Sequence, residues 1–154
     1  MMYQKAIVFN DRDIADRIML EPSPRKQKSL GRKVKGFDHK KWDKRKEQIV
    51  EEGNWWKMTQ PKEGLMRKKL LKTGSRELVE VGVGLTMVVE AKYVQASPFD
   101  RIWGIGYDAA NAEQNRGHWG ENLLGKALMR VRDRLQAEEQ ISKDGMEGEE
   151  VKSA

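Results

Sequence analysis

The sequence predicts a mainly α-helical fold, with at most minor short strands of an α+β kind, in a single compact domain. Apolar residues recur at helical spacing along most of the chain, and glycines and prolines separate the segments that carry this spacing. Only one short stretch has strand character. The 154 residues are enough for one domain, since a chain of this size buries roughly two thirds of the surface it exposes when unfolded.

The N-terminal 20 residues read as a helix, a break and a second helix. Asn10 or Asp11 follows an apolar group and is suited to cap the second helix, because short polar side chains bind free N–H groups at a helix start. Pro22 and Pro24 predict the end of that helix, since each proline disfavours helical geometry in the residue before it.

Two basic helices are predicted next. The first is short and runs from Arg25 to Leu30. The second runs from about Lys40 to Glu52, is capped by Asp38 and is expected to end at Gly53.

The second half of the chain contains two further helices and one strand. A helix is predicted at 62–72, a short strand at 76–80 (R-E-L-V-E), and a long amphipathic helix at 121–136. Residues 137–154 mix charge with glycine and lack an apolar period, so we expect a disordered charged tail there.

Composition limits the class of protein. There are 30 Lys and Arg against 24 Asp and Glu, a formal charge of +6 that favours anionic partners such as phosphates, nucleotides or nucleic acid. The absence of cysteine fits a reducing compartment. No apolar run reaches the roughly 18 to 20 residues of a membrane span, and no signal peptide opens the chain. We therefore expect a soluble protein of the cytoplasm or nucleus without a membrane partner.

Motifs for metal binding and nucleophilic catalysis are not present. His39 and His118 without cysteine cannot supply the four ligands of a structural zinc site. Residues 104–109 match a G-x-G-x-x-A dinucleotide fingerprint, but the strand and helix it requires are not predicted, so we interpret the match as chance. Acid–base chemistry would therefore use carboxylates. The carboxylates nearest in sequence to the glycine-rich loop around Trp103 are Glu80, Asp100, Asp108 and Glu121.

Two features remain open to more than one interpretation. Trp103 is either a core anchor or a flat ring on which a base or ribose stacks. The basic run 25–46 is either the solvated face of two helices, which we favour, or a nucleic-acid patch. Gly31-Arg32 within it is more specific, because glycine permits close approach to a ligand and arginine grips phosphate with two hydrogen bonds.

Six features, taken in order, resemble the NADAR (YbiA-like) family. They are Lys5-Ala6, Gly31-Arg32, Trp42, T-G with E-L-V-E between Thr73 and Glu80, D-x-x-W-G-I-G at 100–106, and W-G-x-N-x-L-G-K-x-L-M-x-V-R at 119–132. The last two are specific, since several residue types stand at fixed spacing. The resemblance covers residues 1–136 and implies a YbiA-like domain there.

The resemblance also implies N-glycosidase activity, the hydrolysis of the C–N bond between a ribose and a base-like amine in a phosphorylated riboside. Family members act on riboflavin-biosynthesis intermediates or remove ADP-ribose from modified guanine, and the sequence does not choose between them. No metal or cofactor is implied. By motif position, Lys5 and Arg32 would bind phosphate, Trp103, Gly104 and Gly106 would form a wall against base or sugar, and Asp100 and Asn122 would order that loop and bond ligand hydroxyls.

Two departures from the family pattern affect this expectation. The family usually has E-x-Y-M-M-Y-x-K-A, whose glutamate is the expected catalytic carboxylate, whereas this chain begins at Met1 within that motif. We therefore expect weak or no activity. The family also reads E-L-V-E-A-S without interruption, whereas residues 81–95 separate Glu80 from Ala96 here. We interpret this insertion as a retained in-frame intron of a eukaryotic gene, with a genuine surface loop as the alternative.

A second hypothesis comes from a different class of protein. In it the chain is a non-catalytic module that binds ADP-ribose, NAD or nucleic acid. It predicts ligand-dependent stabilisation without turnover.

Overall fold

The computed structural model describes residues 1–80 and 100–150, with side chains described as far as residue 142. Over these ranges the backbone is mainly helical, as predicted, and it contains no strand. The predicted insertion at 81–95 lies outside the described residues. Contacts cluster into two compact units, Met1–Gly53 and Asn54–Ala154, which are described in turn.

The first unit begins with three short helices. They are α1 (Met2–Val8), α2 (Arg12–Leu20) and α3 (Pro24–Gly31). The predicted break before α2 is confirmed: Asn10 has a positive φ of 58°, and the Asp11 carboxylate accepts a hydrogen bond from Ile14 N at 3.3 Å. The three helices surround a small apolar core, whose buried members are Ala6, Ile14, Ala15, Ile18 and Val34.

The fourth helix, α4 (His39–Thr59), is longer than predicted. Its start is confirmed, since Asp38 Oδ1 accepts a hydrogen bond from Lys41 N at 2.6 Å. The prediction that Gly53 ends it was wrong, because a glycine costs a helix only about 1 kcal/mol relative to alanine. The helix instead ends at Thr59, whose hydroxyl donates to the carbonyl of Trp55 at 3.0 Å.

In its described residues, the second unit contains three further helices and two 3-10 turns. They are a turn at Pro61–Glu63, α5 (Gly64–Leu71), α6 (Ala109–Ala112), a turn at Glu113–His118, and α7 (Leu123–Glu150). The predicted apolar stripe of α7 lies in the core, as the hydrophobic effect requires. The buried members of this core are Met58, Leu70, Leu78, Leu128, Val131 and Leu135.

The prediction of a strand at 76–80 was wrong. This segment finds no partner strand among the described residues, and its backbone groups are bound individually instead. Arg132 donates to the carbonyl of Arg76 at 2.7 Å, and Ile105 N donates to the carbonyl of Glu80 at 2.9 Å. Two adjacent side chains of the segment, Leu78 and Val79, are buried, and they belong to different apolar clusters.

Helix α7 extends to Glu150 and therefore continues through much of the segment predicted to be disordered. Once a helix is nucleated, adding further residues costs little. Opposite charges support the continuation: Arg134 lies 3.5 Å from Glu138, and Arg67 lies 3.1 Å from Glu139. Residues 151–154 lie outside the described residues.

Candidate functional site

The loop that carries Trp103 is ordered by Asp100. One carboxylate oxygen, Oδ1, accepts hydrogen bonds from Ile102 N at 3.1 Å and from Trp103 N at 2.9 Å. This arrangement is an aspartate turn, in which a side chain replaces a backbone acceptor. The position of the Trp103 side chain is therefore set by local chemistry that the D-x-x-W spacing encodes.

Trp103 and Trp119 have different surroundings. The Trp119 ring packs on the buried pair Val79 and Ile105, and its indole N–H donates to the carbonyl of Ala112 at 2.8 Å. Trp103 is half-buried and belongs to none of the apolar clusters in the described part of the chain. Trp119 is therefore anchored in an apolar cluster, whereas the stacking role of Trp103 stays a prediction.

Gly104 and Gly106 are required by the backbone itself. A Cβ on the buried Gly104 would lie 2.7 Å from the carbonyl oxygen of Glu80. Gly106 has a φ of +77°, a conformation that other residues rarely adopt, and a Cβ there would lie 2.5 Å from Arg101 Cγ. Both glycines therefore keep the loop closely packed, whatever contact they make with a ligand.

Asn122 joins this loop to the segment 76–80. Its side-chain Nδ2 donates to the carbonyl of Leu78 at 2.9 Å, and Oδ1 accepts from Glu80 N at 3.0 Å. The residue is 5% exposed and has a positive φ of 51°. Its backbone N donates to the carbonyl of Gly104 in the loop at 3.3 Å, whereas its carboxamide holds the backbone of Leu78 and Glu80. A bond from Asn122 to a ligand hydroxyl stays a prediction.

The carboxylates near the loop have distinct environments. Asp108 caps α6, accepting from Asn111 N at 2.9 Å, so it has a structural task. Glu121 is exposed, and its backbone N donates to the carbonyl of Arg101 at 2.7 Å. Glu80 is half-buried beside Gly104. Asp100 is committed to the loop backbone.

Lys5 lies in the first unit, on α1. Its ammonium donates to the carbonyl of Gly31 at 2.9 Å and lies 4.0 Å from the centre of the Phe37 ring. Burial lowers the pKa of Lys5, because desolvation disfavours the charged form. No carboxylate pairs with this ammonium in the described part of the chain. A carbonyl and an aromatic face hold the charge without neutralising it, which leaves it able to attract an anion.

Arg32 immediately follows the carbonyl that binds Lys5, and its side chain is exposed. Gly31 itself is buried, and a Cβ there would clash with the side chain of Met2. The close approach that this glycine permits is therefore between α3 and α1, and it brings the carbonyl of Gly31 to Lys5. Gly31 therefore has a packing role in the structure, and the binding of phosphate by Arg32 stays a prediction.

The predicted site residues thus fall into two groups. The first unit holds Lys5 on α1 and Arg32 directly after α3, and the Lys5 ammonium binds the last carbonyl of α3. The second unit holds the group around the loop, which consists of Asp100, Trp103, Gly104, Gly106 and Asn122.

Sequence reasoning missed the roles of Arg132 and Gly125. Arg132 is 4% exposed and donates to Thr73 Oγ1 at 3.0 Å as well as to Arg76. A Cβ on Gly125 would clash with the carbonyl oxygen of Leu78. Both residues belong to the motif at 119–132, and so does Asn122. The motif could have indicated these roles, because its polar residues bind the segment 73–80 and Gly125 lets that segment approach closely.

The remaining predictions can be compared with the described residues. The G-x-G-x-x-A match at 104–109 is followed by α6, which has only four residues, and no strand precedes it there. In the described ranges, no three side chains of metal-ligating type lie together. None of the helices in those ranges is both long and apolar enough to cross a bilayer.

A model of the NADAR domain family matches residues 1–84 and 81–136. The two matched segments meet at the start of the predicted insertion. The chain belongs to the NADAR domain family, as the motifs indicated.

Two relatives are similar over most of this chain. N-glycosidase R617 of Acanthamoeba polyphaga mimivirus is 40% identical over 140 residues, which cover 88% of this chain and 71% of the viral protein. Protein irg-1 of Caenorhabditis elegans is 34% identical over 157 residues, which cover 95% of this chain and 66% of the nematode protein.

Proposed function

We propose that this chain is an N-glycosidase-type hydrolase that cleaves the C–N glycosidic bond of a phosphorylated riboside. The observation that carries the proposal is membership of the NADAR family together with 40% identity to a protein named as an N-glycosidase. The substrate classes are a riboflavin-pathway intermediate and an ADP-ribosylated guanine, which share a ribose, a phosphate and a base-like leaving group.

The chemistry requires a grip on phosphate. The Lys5 ammonium supports this role because it is charged, partly desolvated and bound only to a carbonyl and a ring among the described residues. Partial desolvation strengthens an ionic contact, since less water screens it. Arg32 is exposed beside the Gly31 carbonyl and can add two parallel hydrogen bonds to phosphate oxygens.

The chemistry also requires a surface for the base or the sugar. The half-buried Trp103 ring supports this role, because Asp100 holds its backbone and no apolar cluster in the described part engages its side chain. A stacked ring orients the riboside and excludes water from one face of the oxocarbenium-like sugar, so that water attacks from the other. Asp100 acts in this scheme as a positioning residue for the Trp103 ring.

The test uses two substrates and matched variants. A ribosylaminopyrimidine phosphate and an ADP-ribosylated guanine nucleotide are incubated with the chain and with a version that carries the family's E-x-Y-M-M-Y segment. Release of ribose phosphate or ADP-ribose is measured, and the variants are compared in the form that turns over. Lys5→Gln is expected to raise KM at least tenfold, because an ion pair with phosphate is lost. Lys40→Gln removes an exposed lysine of the same unit and is expected to leave KM unchanged. Equal effects of the two variants would contradict the role given to Lys5.

The role of the glutamate in the family's E-x-Y-M-M-Y-x-K-A motif has its own comparison. The chain is assayed beside one that carries the family's E-x-Y-M-M-Y segment and lacks residues 81–95. Faster release by the extended chain is expected, since a carboxylate activates water or stabilises the developing positive charge. Equal release from both would contradict the role given to that glutamate.

The second candidate is a non-catalytic module, and the run 25–46 favours it. The run contains eleven Lys and Arg against two Asp. Such a module would be stabilised by ADP-ribose or bind nucleic acid without product release, and nucleic-acid affinity would fall steeply with salt. Product release from either riboside would decide against this candidate.

A further inference from the structure

Two adjacent apolar side chains project into water at the end of α2. Met19 is 67% exposed and Leu20 is 84% exposed, the largest value for a bulky apolar side chain among the described residues. The same helix buries Ile14, Ala15 and Ile18, so its core-facing side is already occupied. A single exposed leucine needs no explanation, but a neighbouring pair at the tip of a helical turn is a candidate contact surface.

Basic side chains surround this tip. A pocket of about 390 Å³ in the first unit is lined by Arg17, Lys26 and Lys33, with Leu20 and Leu30 contributing apolar surface. The remaining lining residues are Glu21 and Ser29. We call Met19, Leu20, Arg17, Lys26 and Lys33 together the Leu20 patch.

The positive charge of the Leu20 patch is largely unneutralised. Glu21 is the one carboxylate that lines the pocket, and its Oε1 accepts a hydrogen bond from Ser23 N at 2.9 Å. Arg17 has an exposed ion pair with Asp13 at 3.9 Å, a separation at which such pairs contribute little. Neither Lys26 nor Lys33 has a carboxylate partner in the described part of the chain.

We propose that the Leu20 patch docks the protein on a membrane surface rich in anionic lipid. Met19 and Leu20 enter the boundary between headgroups and acyl chains, and Arg17, Lys26 and Lys33 bind lipid phosphates. Peripheral binding of this kind combines buried apolar area with attraction to anionic lipid and requires no spanning helix. It is compatible with the lack of a spanning helix in the described ranges, but it departs from the expectation from the sequence that no membrane is a partner. It rests on surface features that are independent of the proposed activity.

Charge and shape together favour a lipid surface over a nucleic acid. A phosphate backbone would pair with the three cations but would leave Leu20 in water. A bilayer surface satisfies both parts of the patch, because its charged layer lies directly over an apolar one.

The experiment measures sedimentation of the full chain with vesicles. One set contains phosphatidylcholine alone, and the other contains phosphatidylcholine with phosphatidylserine. Binding is expected only to the anionic vesicles. The double variant Met19→Ser/Leu20→Ser is expected to bind at least tenfold more weakly, and Lys26→Glu/Lys33→Glu is expected to show a similar loss.

Matched controls separate the patch from general properties of the surface. Leu65→Ser removes another leucine that is 67% exposed, and Lys40→Glu/Lys44→Glu reverses two other exposed cations of the first unit. Both are expected to retain more binding than the patch variants. Circular dichroism and urea unfolding identify any variant that fails to fold, and the milder Leu20→Ser then replaces the double variant.

Several outcomes would overturn the proposal. They are no binding to anionic vesicles, full binding by Met19→Ser/Leu20→Ser, or an equal loss in the control charge reversals. A dimer in solution that Leu20→Ser converts to monomer would also overturn it, since a second copy would then cover the patch.

Discussion

The side-chain amide of Asn122 donates a hydrogen bond to the carbonyl of Leu78 at 2.9 Å, although the two residues are 44 positions apart. The same carboxamide accepts from Glu80 N, so one buried side chain substitutes for a neighbouring strand. Through this contact the motif at 119–132 holds the segment 76–80, against which the Trp103 loop packs.

Replacing Asn122 by alanine is expected to destabilise the protein by about 3 kcal/mol, because the buried carbonyl of Leu78 and the partly buried N–H of Glu80 lose their partners. Alanine is also disfavoured at the positive φ of this position. Urea unfolding measures the loss. Asn122→Gly relieves the φ strain but restores no hydrogen bond. It is therefore expected to lose somewhat less unfolding free energy than Asn122→Ala. Asn115→Ala is the control, since Asn115 bonds only to the nearby Asn111, and a loss as large as that of Asn122→Ala would contradict the interpretation.

Arg132→Met should cost about 3 kcal/mol of unfolding free energy, because the buried Thr73 hydroxyl and the partly buried Arg76 carbonyl lose the guanidinium as a donor. Arg134→Met provides the comparison. The Arg134 side chain is 59% exposed and lies over the Trp55 ring, so a cost below about 1 kcal/mol is expected. Similar midpoints in denaturant for the two variants would show that Arg132 has no special structural role.

The two tryptophans are expected to separate activity from stability. Trp103→Ala should lower kcat/KM by roughly tenfold to a hundredfold, the value of a lost stacking contact, with a stability change of about 1 kcal/mol at most. Trp119→Ala should lower the free energy of unfolding by about 3 kcal/mol, since the Trp119 ring packs on Val79 and Ile105. Steady-state kinetics and thermal unfolding on both variants check this pair. Full activity in folded Trp103→Ala would refute the stacking role.

Acid is expected to weaken the first unit through Asp11. A backbone hydrogen bond from Lys35, at 2.8 Å, is the main cause that lowers the pKa of this carboxyl. A lowered pKa stabilises the folded state above the ordinary aspartate value of about 3.9, and this contribution is lost as pH falls through the folded pKa. Unfolding of the wild type and of Asp11→Asn is measured from pH 7 to pH 2. The difference in unfolding free energy between the two proteins should close as the pH falls, and a difference that stays constant down to pH 2 would contradict this role of Asp11.

Deleting residues 81–95 is expected to preserve the fold and leave thermal stability equal or higher. Glu80 and Asp100, which flank the undescribed segment, both have a carbonyl oxygen within 3.2 Å of the position a Cβ on Gly104 would occupy. The two ends are therefore close, and the four residues 96–99 can connect them. A shorter connection also lowers the entropic cost of closing the loop. Loss of helical circular dichroism in the deleted chain would show that these residues belong to the fold.

Local chemistry made much of the first unit predictable. Asp11 and Asp38 cap helices because a short carboxylate binds N–H groups only a few residues away, and Pro22 and Pro24 restrict their immediate neighbours. The apolar stripe of α7 was equally readable, since burial follows directly from its spacing. These features depend on interactions within a few residues.

Predictions that required distant information were the ones that failed. Nothing next to Gly53 indicated that α4 would continue to Thr59, because the cost of one glycine is small and packing farther along the helix outweighs it. Segment 76–80 has a strand-like pattern, but a strand also needs a partner, and in the described part side chains of α7 and the loop take that place.

By itself, the sequence determined the helical character, the caps, the family and the residues that belong to its motifs. Only the tertiary structure decided what those residues do: that Asn122 and Arg132 hold the backbone of 73–80, that Gly31 packs against Met2, and that Trp103 rather than Trp119 lies outside the apolar clusters. The physical reason is the separation along the chain between the groups that interact. Helix spacing and capping are set by neighbours along the chain, whereas a buried amide or guanidinium acquires its function from groups that folding brings to it from dozens of residues away.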